Sequence, residues 1–209
     1  MKVAVAAANG KAGRLIVKEA VERGMDVTAI VRSENRTAAE KTIIKDILSL
    51  TRDDLAGFDV IVDAVGGWTP ETAHIIPDAA KHLAELLRGT DTRLLVVGGA
   101  GSLFVNPEHT RTVAEETPFP EAVMPVINAH QAALNALRGC DGVKWTYVSP
   151  AGDFQPEGAR TGKYILAGEE LKLNSKGERS PSCMTGQSFA NPLTTERVKA
   201  IQSTKVVII

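Results

Sequence analysis

The chain has 209 residues, 44% hydrophobic and 23% charged, with a formal net charge of −1. These proportions exclude a disordered or fibrous chain, and near-neutrality leaves no electrostatic footprint for nucleic acid or an anionic membrane. No apolar run approaches the length that spans a bilayer, and the opening MKVAVAAA reads as a strand rather than a leader peptide. The two cysteines, Cys140 and Cys183, form no CxxC pair, so a reduced, cytoplasmic setting is expected.

Val3 to Ala8 is a continuous apolar run that stops at Asn9-Gly10. A helical pattern follows, with Leu15, Ile16, Ala20 and Val21 read as one face and Gly24 as its end. Further strands are expected at Asp26 to Val31, Thr42 to Lys45, Val60 to Ala64, Leu94 to Val97 and Trp145 to Val148. Helices are expected at Thr72 to Leu87 and about Glu121 to Leu137. Strands without clean alternation are buried on both faces, as parallel strands covered by helices are. Strand and helix in alternation then give an α/β fold, a doubly wound and mostly parallel sheet. Past Pro150 the pattern changes: 151–162 is rich in glycine and polar residues, KYILAG and ELKLN read as a small hairpin, and VVII reads as a closing strand. No linker separates domains, so 1–209 is expected to be one domain with its core in 1–150.

Ala7, Ala8, Asn9, Gly10, Lys11, Ala12 and Gly13 lie where the first strand hands over to the first helix. A tight turn there needs small residues, so that backbone N–H groups can approach a pyrophosphate at the helix N-terminus. A close strand-to-helix turn with no ligand is the plainer alternative. Nineteen residues past Gly13 the second strand ends in Val31-Arg32-Ser33. Arginine suits a ribose 2′-phosphate through charge-assisted bonds, and Ser33 adds a hydroxyl. Glu34 is an acid that can serve NAD instead, and Arg32 also reads as an ordinary solvated arginine.

These features, with VIVDAVG, RLLVVGGAGSL and WTYVSPAGDFQPEGARTGKY, resemble the atypical short-chain dehydrogenase/reductases. More narrowly they resemble the NAD(P)H-binding group of NADH-flavin reductases, near biliverdin reductase B and the NmrA-like proteins. The resemblance covers roughly residues 1–180 and implies a Rossmann-like domain with a small C-terminal substrate lobe, 151–209. It implies that Asn9 to Gly13 form the phosphate loop, with Ala7 where the family has its first loop glycine. It further implies that Arg32 reads the 2′-phosphate and that Asp46 and Ile47 flank the adenine. Ala64, Val65 and Gly66 then meet the ribose side, Gly98 and Gly99 run below the nicotinamide, and Pro150 flanks it. The tail is poorly matched: Ser188-Phe189-Ala190-Asn191 is followed by Pro192, where relatives carry a longer helix.

A Tyr-x-x-x-Lys proton relay is missing, because four positions after Tyr147 and Tyr164 stand Ala151 and Gly168. Ser102 and His130 are the remaining candidate catalytic residues, each with a structural reading beside it. Trp68 and Tyr164 are candidates to line a ring-binding pocket, whereas Trp145, inside a strand, reads as core. His74, His82 and His109 show no ligand spacing, so no metal site is expected. The function expected is an NAD(P)H-dependent oxidoreductase that passes hydride to a small planar acceptor such as free flavin or quinone. NADP is the expected cofactor, with NAD as the alternative, and flavin is a substrate rather than a bound group. A monomer or homodimer is expected, with no nucleic-acid or membrane partner. A non-catalytic NADP-binding sensor, NmrA-like, is the alternative from another class.

Overall fold

The computed structural model describes residues 1–150 and 168–171, together with the backbone of four further strands: 153–154, 166–167, 181–182 and 203–208. The strands are β1 (Lys2–Ala6), β2 (Asp26–Val31), β3 (Lys41–Ile44), β4 (Val60–Asp63), β5 (Arg93–Val97), β6 (Lys144–Pro150), β7 (Asp153–Phe154), β8 (Leu166–Ala167), β9 (Pro181–Ser182) and β10 (Ser203–Ile208). The helices are α1 (Lys11–Glu22), α2 (Ile75–Leu87), the four-residue α3 (Val113–Glu116) and α4 (Met124–Arg138).

Eight strands form one sheet in the order β3-β2-β1-β4-β5-β6-β10-β8. All neighbours pair in parallel except β8, which runs antiparallel to β10. The α/β, doubly wound, mostly parallel arrangement read from the sequence is therefore the observed one. Strand side chains alternate between two apolar layers. Val3, Val5, Val27, Ala29, Val60, Val62 and Leu95 pack on the side of α1, with Ile16, Val17 and Ala20. Ala4, Ala6, Ile30, Ile61, Leu94, Val96 and Trp145 pack on the side of α2 and α4, with Leu83, Leu87, Leu134 and Leu137. Burial on both faces explains the unbroken apolar runs 3–6, 60–62 and 94–97.

Several boundaries and one face differ from the sequence reading. The buried stripe of α1 is Gly13, Ile16, Val17, Glu19 and Ala20; Val21 is exposed and Leu15 half-buried. An i, i+3, i+4, i+7 stripe starting at Gly13 excludes both, because the glycine belongs to the packed face. Most of the expected KYILAG and ELKLN hairpin, 163–165 and 172–174, lies outside the described residues. Leu166–Ala167 pairs with β10, and Glu170 bridges Phe104. Val206 to Ile208 of VVII fall in β10, which is parallel to β6. Residues 172–174 and the Ser188–Pro192 tail signature lie outside the described residues, as do Tyr164 and Cys183. Among the described residues no helix is long and apolar enough to cross a membrane.

Candidate functional site

Strand order reverses between β1 and β4, since β1 leads to β2 on one side and the chain returns to β4 on the other. In open α/β sheets the crevice at the carboxyl ends of strands at such a point is where ligands bind. Four described loops meet there, those after β1, β2, β4 and β5, beside the end of β6 at Pro150.

The β1 loop is tightly wound. Ala7 has φ +52°, a left-handed conformation that a residue with a Cβ adopts at a cost of about 1–2 kcal/mol. The position where the family has a glycine therefore keeps a glycine-like backbone. The Gly10 N–H donates to the Ala7 carbonyl at 2.8 Å. Gly13 then packs α1 onto that turn: a Cβ there would lie 2.8 Å from Ala8 Cα and 2.9 Å from Ala8 O, with Ala7 O closer still. Gly10 caps α1 without any side-chain hydrogen bond, and no acidic residue occupies the first turn. The first N–H groups of α1 are left to an external acceptor at the positive end of the helix dipole. These residues fit an anionic pyrophosphate. Lys11 is exposed beside them, and Ala12 is half-buried against the α1 layer.

The loop after β2 holds Arg32, Ser33, Glu34 and Arg36, all exposed. Arg36 escaped the sequence reading; a second arginine four residues past Arg32 was its signal. Asp46 caps the short turn after β3, its Oδ1 accepting the Leu48 N–H at 3.0 Å, and Ile47 is buried in the α2–α4 layer. Ala64 and Val65 are half-buried and Gly66 is exposed. Trp68 is 75% exposed, and a Cβ on Gly66 would lie 3.6 Å from its Nε1, which places the indole at the rim of the β4 loop.

Asp63, also unanticipated, closes β4 only 2% exposed. Its Oδ1 accepts the Val65 N–H at 3.0 Å and so turns the chain out of the strand. Burial pushes its carboxyl up to about 7, against that hydrogen bond. A lone carboxylate inside the apolar run VIVDA was the sequence signal.

Around β5 two consecutive glycines make room for two different rings. A Cβ on Gly98 would sit 2.7 Å from the Tyr147 hydroxyl and overlap its ring, and one on Gly99 would sit 3.2 Å from the His130 imidazole. Tyr147 is wholly buried; its hydroxyl accepts the Gly99 N–H at 3.2 Å and donates to the His130 carbonyl at 3.0 Å. Burial pushes that phenol well above its ordinary range. His130 lies on α4, and burial pushes its imidazole down to about 4, so it is neutral at physiological pH. Its Nδ1 has no partner among the described residues. Ser102 is 5% exposed, its hydroxyl reaching the Gly99 carbonyl at 3.4 Å. Pro150 ends β6, buried. Ser102, His130, Gly98, Gly99 and Tyr147 thus form one cluster, while the β1 and β2 loops form another.

Strand order, glycine turn and uncapped helix together define a Rossmann-like dinucleotide-binding domain. A model of the NAD(P)H-binding family matches residues 7–180, and the chain belongs to that family. The atypical short-chain dehydrogenase/reductase resemblance is borne out with it. The uncharacterized protein YwnB of Bacillus subtilis is 39% identical over 181 residues, 85% of this chain and 84% of that protein. The crystal structure of a putative NADH-flavin reductase from Streptococcus pneumoniae is 44% identical with a TM-score of 0.93, covering 100% of this chain and 99% of that one. A putative epimerase from Bacteroides thetaiotaomicron is 27% identical with a TM-score of 0.83, covering 99% of this chain and 95% of that one.

Two outcomes follow from this geometry. Gly13→Ala forces α1 off the β1 turn and should lower stability by about 1–3 kcal/mol in urea denaturation, with dinucleotide binding lost; wild-type stability would show that the turn yields freely. For Asp63, the folded state holds its proton up to about pH 7, whereas the unfolded state releases it near 3.8. Stability is therefore lost as pH rises between those values and is flat above them. Asp63→Asn keeps the acceptor for Val65 and removes the titration. Its stability relative to wild type should rise by on the order of 2–3 kcal/mol between pH 5 and pH 8; a pH-independent difference would show that Asp63 ionises freely.

Proposed function

We propose that the protein is an NADPH-dependent reductase that delivers hydride to a free flavin, a quinone or a similar planar acceptor, without a proton donor supplied by the protein. The observation that carries this reading is the state of the side chains at the β5 edge. The His130 imidazole is neutral, and the Tyr147 proton is committed to a main-chain carbonyl. Neither suits protonation of a developing alkoxide, and no Tyr-x-x-x-Lys pair stands in the chain. A planar conjugated acceptor asks less, because the arriving charge is delocalised and orientation carries most of the rate. The Streptococcus pneumoniae neighbour, by its own description an NADH-flavin reductase of putative status, supports the same class of chemistry.

A nicotinamide cofactor, when bound, would supply the hydride. The chain's own residues bind and orient. The N–H groups of Lys11, Ala12 and Gly13 would hold the pyrophosphate, with Ala7, Asn9 and Gly10 shaping the turn. Arg32 and Ser33 meet the 2′-phosphate, and Asp46 and Ile47 lie beside the adenine. Ala64, Val65 and Gly66 meet the ribose, and Gly98, Gly99 and Pro150 back the nicotinamide. Ser102 and His130 line that end as neutral hydrogen-bonding groups, and Trp68 offers a ring surface to the acceptor; Tyr164, expected in the same role, lies outside the described residues.

Steady-state oxidation of NADPH should accelerate on addition of FMN, FAD or a quinone. NADPH bound but never oxidised faster would leave the non-catalytic sensor reading in its place. Arg32→Ala should weaken NADPH about tenfold to a hundredfold, one charge-assisted bond, and leave NADH nearly unchanged; equal losses would remove the 2′-phosphate role. His130→Ala and Ser102→Ala should each lower kcat by less than about tenfold, below the range of a true proton donor. A folded variant losing three orders of magnitude would overturn the donor-free reading.

A further inference from the structure

Asn9 occupies the turn between β1 and α1, yet its side chain is engaged outside that turn. Its Nδ2 donates to the Glu34 carbonyl at 2.8 Å, and its Oδ1 accepts the Arg36 N–H at 2.8 Å. The pair fixes the sense of the amide, since only the oxygen can take an N–H and only the nitrogen can meet a carbonyl. The two bonds tie together segments 25 and 27 residues apart. The far segment is stiff in its own right. Asn35 Oδ1 accepts from the Thr37 N–H at 2.9 Å and from its hydroxyl at 2.8 Å, while Asn35 Nδ2 donates to the Ala39 carbonyl at 2.8 Å and to Thr42 Oγ1 at 3.0 Å. The loop after β2 is thus anchored to β3 through Thr42 and to the β1 turn through Asn9. Arg32, Ser33 and Arg36 stand exposed on it.

We propose that Asn9 is a positioning residue for cofactor discrimination: it brackets the Arg32–Arg36 loop against the pyrophosphate turn, so that both arginines serve one 2′-phosphate. This rests on the reading of an NADPH cofactor given above. The physical argument concerns what each arrangement would favour. An Asn9 amide bonded to the pyrophosphate would help NADP⁺ and NAD⁺ alike, because that group is common to both. An amide spent on Glu34 and Arg36 acts only where the two cofactors differ. A phosphomonoester carries nearly two charges at neutral pH and rewards guanidinium groups already in place. Ordering a loose loop around it would subtract from affinity. The Glu34 carbonyl held by Asn9 belongs to the acid that would otherwise suit an unphosphorylated ribose, so the bracket also fixes where that acid emerges.

Calorimetric titration of NADP⁺ and NAD⁺, and of the fragments 2′,5′-ADP and 5′-AMP, into wild type, Asn9→Ala and Arg36→Ala tests this. Asn9→Ala should cut the NADP⁺ to NAD⁺ affinity ratio about tenfold, the upper range of one net hydrogen bond, with NAD⁺ changed less than about twofold. The fragments should repeat the change, and Arg36→Ala should shift the ratio in the same direction. Should Asn9→Ala not melt cooperatively, Asn9→Ser, which can retain one of the two bonds, carries the same readout with a smaller shift. Equal losses for both dinucleotides would make Asn9 a pyrophosphate ligand and overturn the inference, as would an unchanged ratio. A wild type that prefers NADP⁺ while the variants keep its ratio overturns the inference alone. A wild type without that preference overturns the NADPH reading and the inference together.

Discussion

The approach of the first turn of α1 to the turn leaving β1 is the constraint on which the cofactor side of the molecule depends. At Gly13 the helix meets main chain directly, with no room for even a methyl group. That contact seats Ile16, Val17 and Ala20 against the β1–β2 layer and at the same time aims the open N–H groups of α1 into the crevice. Packing and anion recognition are therefore one property. The left-handed Ala7 is held in place by the same crowding, because its carbonyl is both the acceptor for Gly10 and the floor beneath Gly13.

On the far side of the crevice the logic differs. Polar groups there are used for construction: the Tyr147 hydroxyl joins the β5 loop to α4, and Asp63 turns β4 outward. Desolvation pushes all three ionisable side chains, Asp63, Tyr147 and His130, toward their neutral forms. A desolvated floor of this kind is unsuited to stabilising a localised charge.

Much of this was legible from residue order alone. Unbroken runs such as VIVDA and LLVV betray strands covered on both faces, and AAANGKAG in its place between strand and helix betrays the turn. What residue order could not convey is who touches whom across the sheet. That Gly98 yields to Tyr147 depends on β6 lying beside β5, with Val97 opposite Val148. That Asn9 reaches Glu34 and Arg36 depends on β2 lying beside β1. The packed face of α1 includes Gly13, a residue with no side chain to mark it as apolar, which is why residue order pointed to Leu15 and Val21 instead. That Leu166–Ala167 lies against β10 likewise depends on a strand far along the chain.

The position of β10 has a consequence for how the molecule comes apart. It is paired with β6 through six residue pairs, and β8 is attached to the sheet only through it. Residues 169–171, held to Phe104 by two main-chain hydrogen bonds, follow directly from β8. The six strands that carry the dinucleotide crevice are ordered without it. Ser203 of β10 pairs with Trp145 much as Val60 of β4 pairs with Val3, so both ladders join distant parts of the chain, and long-range pairings are the slow ones to form. Local opening of the β10 ladder would release β8 while the crevice stays built. The edge of the sheet and its centre can accordingly open on separate timescales.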